Sequence, residues 1–202
     1  MNSNGKKSII TDKRFFSLEQ LTGKTRLDSF FCPIEEYNNY LFQEALRSQN
    51  DQMALTWLLL ERSNKTVTAY MSLIADAIKL SATEKELHNL DYPFKTVPAM
   101  KIAKLAVSAP FQEKYRGIGS LMIDMAIQIA ESCNEQHFAC RFITVDADIE
   151  HNESVMNFYL KNGFIPNEET NNKRRKTISM RRDILFKADI FTNIGEHDKR
   201  YS

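Results

Sequence analysis

The sequence predicts an α/β (α+β) fold in which helices flank a central mixed, mostly antiparallel sheet. Segments with the apolar pattern of strands alternate along the chain with segments of helical periodicity, and such alternation is typical of mixed architectures. The second half also contains, in succession, a strand, a glycine-containing turn and an amphipathic helix. With 202 residues, the chain is long enough for one domain with its own hydrophobic core.

The composition is that of an ordinary globular protein, with 43% hydrophobic and 26% charged residues. The longest apolar run is far shorter than the roughly 20 residues of a membrane-spanning helix, and residues 1–7 lack the apolar core of a signal peptide. We therefore expect a cytoplasmic protein with no membrane partner. Cys32, Cys133 and Cys140 have neither a disulfide nor a zinc-site spacing, so we expect buried or partly buried thiols and no metal. A net charge of +1 predicts no general attraction to nucleic acid.

The first half is predicted to supply a polar leader, a helix and a hairpin. Residues 1–13 are polar and are expected to precede the folded domain. Within residues 33–49, apolar side chains recur at the spacing of one helix face. Two strand-like segments, 53–61 and 66–74, flank a short polar turn and indicate a β-hairpin. Residues 81–98 contain charges and prolines, and we expect mainly a connecting loop there.

The second half has the clearer pattern. A strand is predicted at 100–107, and a glycine-containing loop leads from it into an amphipathic helix at 117–133. A buried strand is predicted at 141–147, followed by a short helix at 152–162 that ends at Gly163. The remaining predictions are two short strands, 164–165 and 177–180, and a tail of unassigned role, 183–202.

The loop between the strand and the helix, K-Y-R-G-I-G-S at residues 114–120, has the chemistry of an anion site. Gly117 and Gly119 let the backbone approach a ligand closely. The first amides of the following helix lack acceptors within the helix and carry the positive end of its dipole, which suits a pyrophosphate. The loop is neither a Walker motif nor a dinucleotide fingerprint, because Met122 stands at the third glycine position. An ordinary tight turn with Gly117 as a helix cap is the alternative.

A second motif follows the next strand. Residues 152–164 read N-E-S-V-M-N-F-Y-L-K-N-G-F and begin 33 residues after Gly119. Together the two motifs resemble the signature regions of GNAT acetyltransferases, which are a Gln/Arg-x-x-Gly-x-Gly/Ala loop after the fourth strand and an Asn-x5-Phe-Tyr-x3-Gly-Phe helix after the fifth. Their order, spacing and intervening strand all agree with that family. The resemblance covers residues 100–182, and it departs from the pattern at Lys114, since lysine cannot form the planar fork of arginine.

The resemblance implies a GNAT-like sheet with splayed fourth and fifth strands, acetyl-CoA as co-substrate, and direct attack of an amine on the thioester. A backbone N–H near Leu105 or Val107 would polarise the thioester carbonyl. The domain is expected to span residues 14–182. The residues implied to bind acetyl-CoA are Leu105, Ala106, Val107, Lys114, Tyr115, Arg116, Gly117, Ile118, Gly119, Ser120 and Asn152.

Tyr159 matches the family's tyrosine that protonates the departing thiolate. A phenol with a pKa of about 10 keeps its proton at neutral pH and can donate it as charge develops on sulfur. A core aromatic is the alternative for Tyr159, and its neighbour Phe158 is expected to fill that structural role.

The acidic residues near the expected cleft are Asp146, Asp148, Glu150 and Glu61. Each is more typical of a solvated charge, so no general base is assigned.

The sequence does not decide which class of molecule accepts the acetyl group. The resemblance implies a primary amine on a small molecule or peptide. The layout also resembles the acetyltransferase toxins that acetylate the α-amine of aminoacyl-tRNA, and the basic residues 173–176, with Arg181 and Arg182, could contact tRNA phosphates. A pI of about 7.7 favours the smaller acceptor. A module that binds acyl-CoA without transfer is a third possibility, and the sequence leaves a homodimer open.

Overall fold

The structure, a computed structural model, describes residues 8–9, 15–151, 154–168 and 176–185. The predicted leader falls outside these residues apart from 8–9, and the predicted tail falls outside them apart from 183–185. The strands in chain order are β1 (Ser8–Ile9), β2 (Phe16–Gln20), β3 (Leu55–Glu61), β4 (Val67–Ile78), β5 (Val97–Val107), β6 (Tyr115–Arg116), β7 (Phe142–Asp148), β8 (Ile165–Pro166) and β9 (Thr177–Asp183).

The main sheet confirms the predicted mixed architecture. Within the described residues it has seven strands in the order β2-β3-β4-β5-β7-β9-β8. The pairs β2–β3, β3–β4, β7–β9 and β8–β9 are antiparallel. The helices are α1 (Glu35–Asn39), a π-helical turn (Tyr40–Glu44), α2 (Ala45–Asn50), α3 (Ala82–Leu87), α4 (Ala109–Lys114), α5 (Ile118–Gln136) and α6 (Val155–Lys161).

The chain divides into two compact units. Among the described residues, the first unit comprises those up to Ala75 together with Ile102–Ala126, and the second comprises Asp76–Lys101 together with those from Ile127 onward. None of the helices in the described ranges is both long and apolar enough to cross a lipid bilayer.

The first unit is built on the predicted hairpin and the predicted helix. The β3–β4 hairpin contributes Leu58 and Tyr70 to a core that also contains Leu41 and Ala45 from the helical segment. The prediction of a helix over 33–49 is confirmed, with a π-helical turn in its middle that apolar periodicity does not reveal. Because an amphipathic helix of this length is only marginally stable alone, burial of its apolar face against the hairpin stabilises it.

The second unit corrects the loop predicted at 81–98. Helix α3 begins there, after Ser81, whose hydroxyl accepts a hydrogen bond from the Glu84 amide at 3.1 Å. The Glu84 carboxylate accepts one from the Ser81 amide at 2.8 Å. This reciprocal capping box satisfies two amides that lack partners within the helix. The Ser-x-x-Glu spacing is therefore the signal that the prolines and charges of the segment obscured.

The same Glu84 belongs to a network of buried charges in the second unit. Its carboxylate is paired with the guanidinium of Arg181, and the two side chains are 3% and 2% exposed. Burial alone would raise the pKa of Glu84, but amide hydrogen bonds from Glu168 and Ser81, together with Arg181, outweigh it and lower the pKa. Arg181 also donates to Asn167 Oδ1 at 3.0 Å. Such a pair is costly to form but far more costly to break, because one buried charge is then left alone.

A second carboxylate continues this network. The Asp183 side chain is 3% exposed, and its Oδ2 lies 2.7 Å from His88 Nδ1. Arg141 donates to both Asp183 oxygens, from Nε at 2.9 Å and from Nη2 at 2.8 Å. His88 is the C-cap residue of α3. Helix α3 is therefore attached to β9 twice, by Glu84 to Arg181 and by His88 to Asp183.

The cysteines agree with prediction. Cys32 and Cys140 are buried, Cys133 is half-buried, and all three are free thiols. Burial raises the pKa of the Cys140 thiol to about 11.

We expect Glu84→Gln to lower the free energy of unfolding by about 3 kcal/mol, because it leaves the Arg181 charge buried without a counter-charge. Urea denaturation measures the change. Glu86→Gln, at an exposed position of the same helix, is the matched control and should be close to wild type. Equal effects of the two substitutions would contradict a stabilising role of the buried pair.

The decrease of the free energy of unfolding at acid pH should depend on Asp183. Burial raises its pKa, but hydrogen bonds with His88 and Arg141 outweigh burial and lower the pKa to about 2. An unfolded aspartate titrates near pH 3.9, so this contribution of about 2 kcal/mol is complete above about pH 4 and is lost as the pH falls toward 2. Asp183→Asn should therefore flatten the stability profile between about pH 4 and 2. Asp91→Asn, at an exposed position, is the control. If Asp183→Asn has the same pH dependence of stability as wild type, the stabilising role of Asp183 is contradicted.

Candidate functional site

The predicted anion loop has the backbone that the glycine pattern indicates. Helix α4 ends at Lys114, β6 follows, and Gly117 turns the chain into α5 with φ +94°. At Gly117 nothing lies within 4 Å of the position that a Cβ would take. Glycine is therefore favoured here by the left-handed backbone and not by lack of space.

The first turn of α5 directs amides out of the helix. Leu121 N–H donates to Gly117 O at 2.8 Å and makes the first intrahelical bond. The amides of Ile118, Gly119 and Ser120 accordingly have no acceptor within the helix, and the helix dipole places positive potential there. Ile118 is 2% exposed, so a buried side chain anchors this end of the 19-residue helix. These features fit a phosphate group.

Aromatic packing and two cations surround the loop. The ring of Tyr115 stacks on Phe111 at 6.3 Å and meets Phe16 edge-on at 6.4 Å. Lys114 Nζ lies 4.9 Å from the centre of the Tyr115 ring, and a hydrogen bond with Tyr115 raises the pKa of Lys114. Lys114 and Arg116 are exposed, so both charges are available to an anion. Strand β1 pairs in parallel with β6 along Tyr115 and Arg116.

Strand β5 supplies Leu105, Ala106 and Val107 and ends at a fixed corner. Ala106 and Val107 are buried, and Leu105 is half-buried. At the corner, Ser108 N–H donates to Thr68 O at 2.8 Å, and Ser108 Oγ accepts from Phe31 N–H at 3.2 Å. The end of the strand is therefore held at both its amide and its side chain, just before α4 and the anion loop.

Lys104 marks a feature of the first unit that sequence reasoning did not identify. Its ammonium is paired with the Glu36 carboxylate and lies 5.4 and 5.8 Å from the centres of the Tyr37 and Tyr40 rings. It lines an open cavity of about 410 Å³ together with Glu35, Glu36, Asn39, Tyr40 and Glu44. The cavity is net acidic. A lysine in a strand gives no sequence signal of such an environment, because the aromatic and acidic partners come from α1 and the π-helical turn.

Tyr159 lies on α6 in the second unit and is 7% exposed. Its ring meets Phe158 at 5.0 Å and Phe164 at 5.3 Å, both edge-on. Phe158 is only half-buried, so the expectation that Phe158 is the core aromatic of this helix is wrong. The tyrosine packs instead, because the chain turns back at Gly163 and brings Phe164 against it. Asn152, the predicted contact to the pantetheine arm, lies outside the described residues.

Three of the acidic residues considered as bases have close side-chain partners in the second unit. Asp146 Oδ2 lies 2.5 Å from Lys101 Nζ, and Asp148 Oδ2 lies 2.6 Å from His151 Nδ1. Glu150 Oε1 lies 2.7 Å from Lys176 Nζ. These pairs give each carboxylate a structural partner, in line with leaving the base unassigned. In the described part of the chain, no group of three or more His, Cys, Asp or Glu could hold a metal ion.

The basic segment is only partly described. Residues 173–175 lie outside the described ranges, and Lys176 is 75% exposed and paired with Glu150. Arg181 corrects the prediction of a phosphate contact, since its side chain is 2% exposed and is held by Glu84. The alternation of a strand explains the error, because it turns one of two adjacent arginines into the protein. Arg182 donates to Asn162 O at 2.7 Å.

The sequence matches no protein-family model and no curated protein. The fold is similar to several solved structures. One is described as AtaT complexed with acetyl-methionyl-tRNAfMet; it is 21% identical with a TM-score of 0.69, covering 81% of this chain and 93% of that one. A tyrosine-to-phenylalanine mutant of KacT is 16% identical with a TM-score of 0.66, covering 81% and 93%. AtaTR bound with AcCoA is 20% identical with a TM-score of 0.64, covering 83% and 94%.

These likenesses bear on the fold that the two motifs predict. Four-fifths of the chain superposes on nearly the whole of each neighbour. The predicted strand and the predicted long helix are both present, but α4 and β6 occupy the stretch between them where a loop was predicted. The chain therefore has the GNAT-like fold that the two motifs predict, and it shares this fold with AtaT and KacT.

Proposed function

We propose that this chain is an acetyl-CoA-dependent N-acetyltransferase that acetylates the α-amine of an aminoacyl-tRNA. The observation that carries the proposal is the loop at residues 114–120. It combines a left-handed Gly117, three amides without acceptors in α5 and two exposed cations, in a fold whose solved neighbours include one bound with AcCoA. Backbone amides and a helix N-terminus suit the two phosphates of a pyrophosphate.

Strand β5 has the second role in this proposal. Its backbone at Leu105, Ala106 and Val107 pairs with the pantetheine arm, and one N–H polarises the thioester carbonyl as negative charge develops on its oxygen. The fixed corner at Ser108 keeps that backbone from moving when the charge forms. Asn152 contacts the arm from the second motif. The polarised carbonyl is then attacked directly by the neutral amine.

Tyr159 completes the reaction as the general acid. As the C–S bond breaks, the phenol donates its proton to the thiolate of coenzyme A. After attack, the amine nitrogen releases its extra proton to water, and the tyrosine takes a proton back from solvent. An α-amine with a pKa near 8 is already about one-tenth neutral at neutral pH, so it needs no dedicated base. The partners held by Asp146, Asp148 and Glu150 support a reaction that needs none of these carboxylates.

An aminoacyl-tRNA acceptor is supported by the similarity of this fold to that of AtaT, whose structure was solved in complex with acetyl-methionyl-tRNAfMet. The basic residues 173–176 are the part of this chain that we assign to tRNA phosphates, without Arg181. A small cationic amine is the second candidate acceptor. The cavity beside Lys104 favours it, because Glu35, Glu36 and Glu44 give that cavity a negative charge, which attracts an ammonium and repels phosphate.

Gly119→Asp should abolish measurable binding of acetyl-CoA in calorimetric titration. The substituent places a negative charge among the α5 amides, where the pyrophosphate is proposed to lie. The same aspartate favours the first turn of a helix, so the fold should be retained or slightly stabilised. Gly119→Ala is the milder control. Wild-type affinity in Gly119→Asp would remove this loop from the site.

Tyr159→Phe should lower kcat by about 10²–10⁴-fold, the usual contribution of a general acid, with the affinity for acetyl-CoA little changed. Steady-state rates and titration calorimetry separate the two effects. Tyr92→Phe removes a hydroxyl from a tyrosine that is 64% exposed in the same unit, and it should leave kcat unchanged. A Tyr159→Phe rate within about threefold of wild type would exclude an essential acid.

The acceptor is decided by transfer of labelled acetyl groups to a panel of aminoacyl-tRNAs, polyamines, amino acids and peptides. We expect aminoacyl-tRNA to be the preferred acceptor. Neutralising residues 173–176 should weaken tRNA binding and make the log–log salt slope shallower, by up to about 0.7–0.9 for each phosphate that the protein no longer neutralises. Acetylation of a small amine, where measurable, should not change. Preference for a polyamine, with no transfer to any aminoacyl-tRNA, would select the cationic-amine alternative.

A further inference from the structure

Backbone hydrogen bonds stabilise the C-terminal turn of α6, just after Tyr159. The Phe164 amide donates to Tyr159 O at 3.1 Å, and the Gly163 amide donates to Leu160 O at 3.0 Å. Gly163 takes the left-handed conformation, with φ +79°, that lets the chain reverse at this point. The residue with the proposed acid role therefore accepts a hydrogen bond in the last turn of its helix, and its ring packs on the chain that returns from that turn.

Arg182 holds this end from the sheet. Its Nη1 donates to the backbone oxygen of Asn162 at 2.7 Å, and Asn162 is the C-cap residue that follows α6. The arginine side chain also lies across Gly163, with Nε 3.5 Å from the position that a Cβ would take there. A cation at a helix C-terminus both satisfies a terminal carbonyl and complements the negative end of the dipole.

The other end of this contact is rigid. Arg182 lies on β9, opposite Ile143 of β7, between two residues of the buried charge network, Arg181 and Asp183. Helix α6 has only seven residues, too few to be stable on its own, so its placement depends on what holds it. Arg182 thus links a short helix to a strand whose two neighbouring residues are held by ion pairs.

We propose that Arg182 is a positioning residue for Tyr159. It fixes the C-terminal end of α6 against β9, and it thereby sets where the tyrosine hydroxyl points during proton transfer. This role rests on the proposed function of Tyr159. It also removes Arg182 from the tRNA-contacting residues suggested by the sequence, because its guanidinium serves the protein's own backbone.

The test starts with the single substitution Arg182→Gln. Misplacing a reacting group by about 1 Å can cost up to 10²-fold, so we expect kcat to fall by about 10–100-fold. The KM for acetyl-CoA should stay near wild type, because the anion loop belongs to the first unit. Arg182→Lys keeps a charge and one donor and should recover part of the rate.

The matched control is Arg62→Gln. Arg62 Nε donates to Phe16 O at 2.9 Å, so this variant also removes a bond from an arginine to a backbone carbonyl, but in the first unit. Urea denaturation should show similar decreases of stability in the two glutamine variants. Only Arg182→Gln should have a lower kcat. Equal decreases of kcat in both variants would reduce Arg182 to a general stability residue.

The double variant with Tyr159→Phe decides whether Arg182 acts through the tyrosine. If it does, the double variant is about as slow as Tyr159→Phe alone, because residues that act as a unit are strongly non-additive. Multiplicative decreases in rate would overturn the positioning role while leaving the acid role of Tyr159 intact. A wild-type rate in Tyr159→Phe would overturn both. If Arg182→Gln does not fold, the same cycle with Arg182→Lys gives the same decision.

Discussion

A buried positive charge has to be paired, and that constraint organises the second unit. Arg181 is held by Glu84 and Asn167, and the adjoining pair of His88 and Asp183 is reinforced by Arg141. Removing Glu84 leaves the Arg181 charge buried without its counter-charge, which costs several kcal/mol. These bonds join α3 to β9. The last turn of α6 is in turn attached to β9 by Arg182, the residue next to Arg181.

The first unit depends on backbone geometry more than on charge. The left-handed Gly117 lets the chain enter α5 with three amides facing outward, and the buried Ile118 keeps that helix end in place. Ser108 fixes the end of β5 through bonds to Thr68 and Phe31. The roles proposed for this surface, phosphate binding and polarisation of a carbonyl, need donors that do not reorganise when charge appears, and these anchors would provide them.

The partners of the basic residues bear on which acceptor the protein could bind. The chain has a net charge of only +1, and several of its arginines and lysines are committed to internal partners: Arg181 to Glu84, Arg182 to Asn162, Lys104 to Glu36, Lys101 to Asp146. A tRNA would have to be held by a local basic surface, since the whole-molecule field supplies little attraction. An acidic cavity beside β5 would meanwhile favour an amine over a phosphate.

The sequence alone determined the features that local patterns encode. The hairpin, the helix over 33–49, the strand and long helix of the first motif and the stop at Gly163 follow from apolar periodicity and glycine placement, and with the second motif they identified the fold. Helix α4, between that strand and the long helix, was not predicted. Helix α3 was also encoded locally, by Ser81 and Glu84, but charges and prolines concealed it. Tertiary structure decided which side chains are buried: Tyr159 in place of Phe158, Arg181 within a charge network, Arg182 across the end of α6, Lys104 over two tyrosines. Lys104 and Glu36 are 68 residues apart and Arg181 and Glu84 are 97 apart, and no local pattern specifies such pairings because they form only when separate elements pack together.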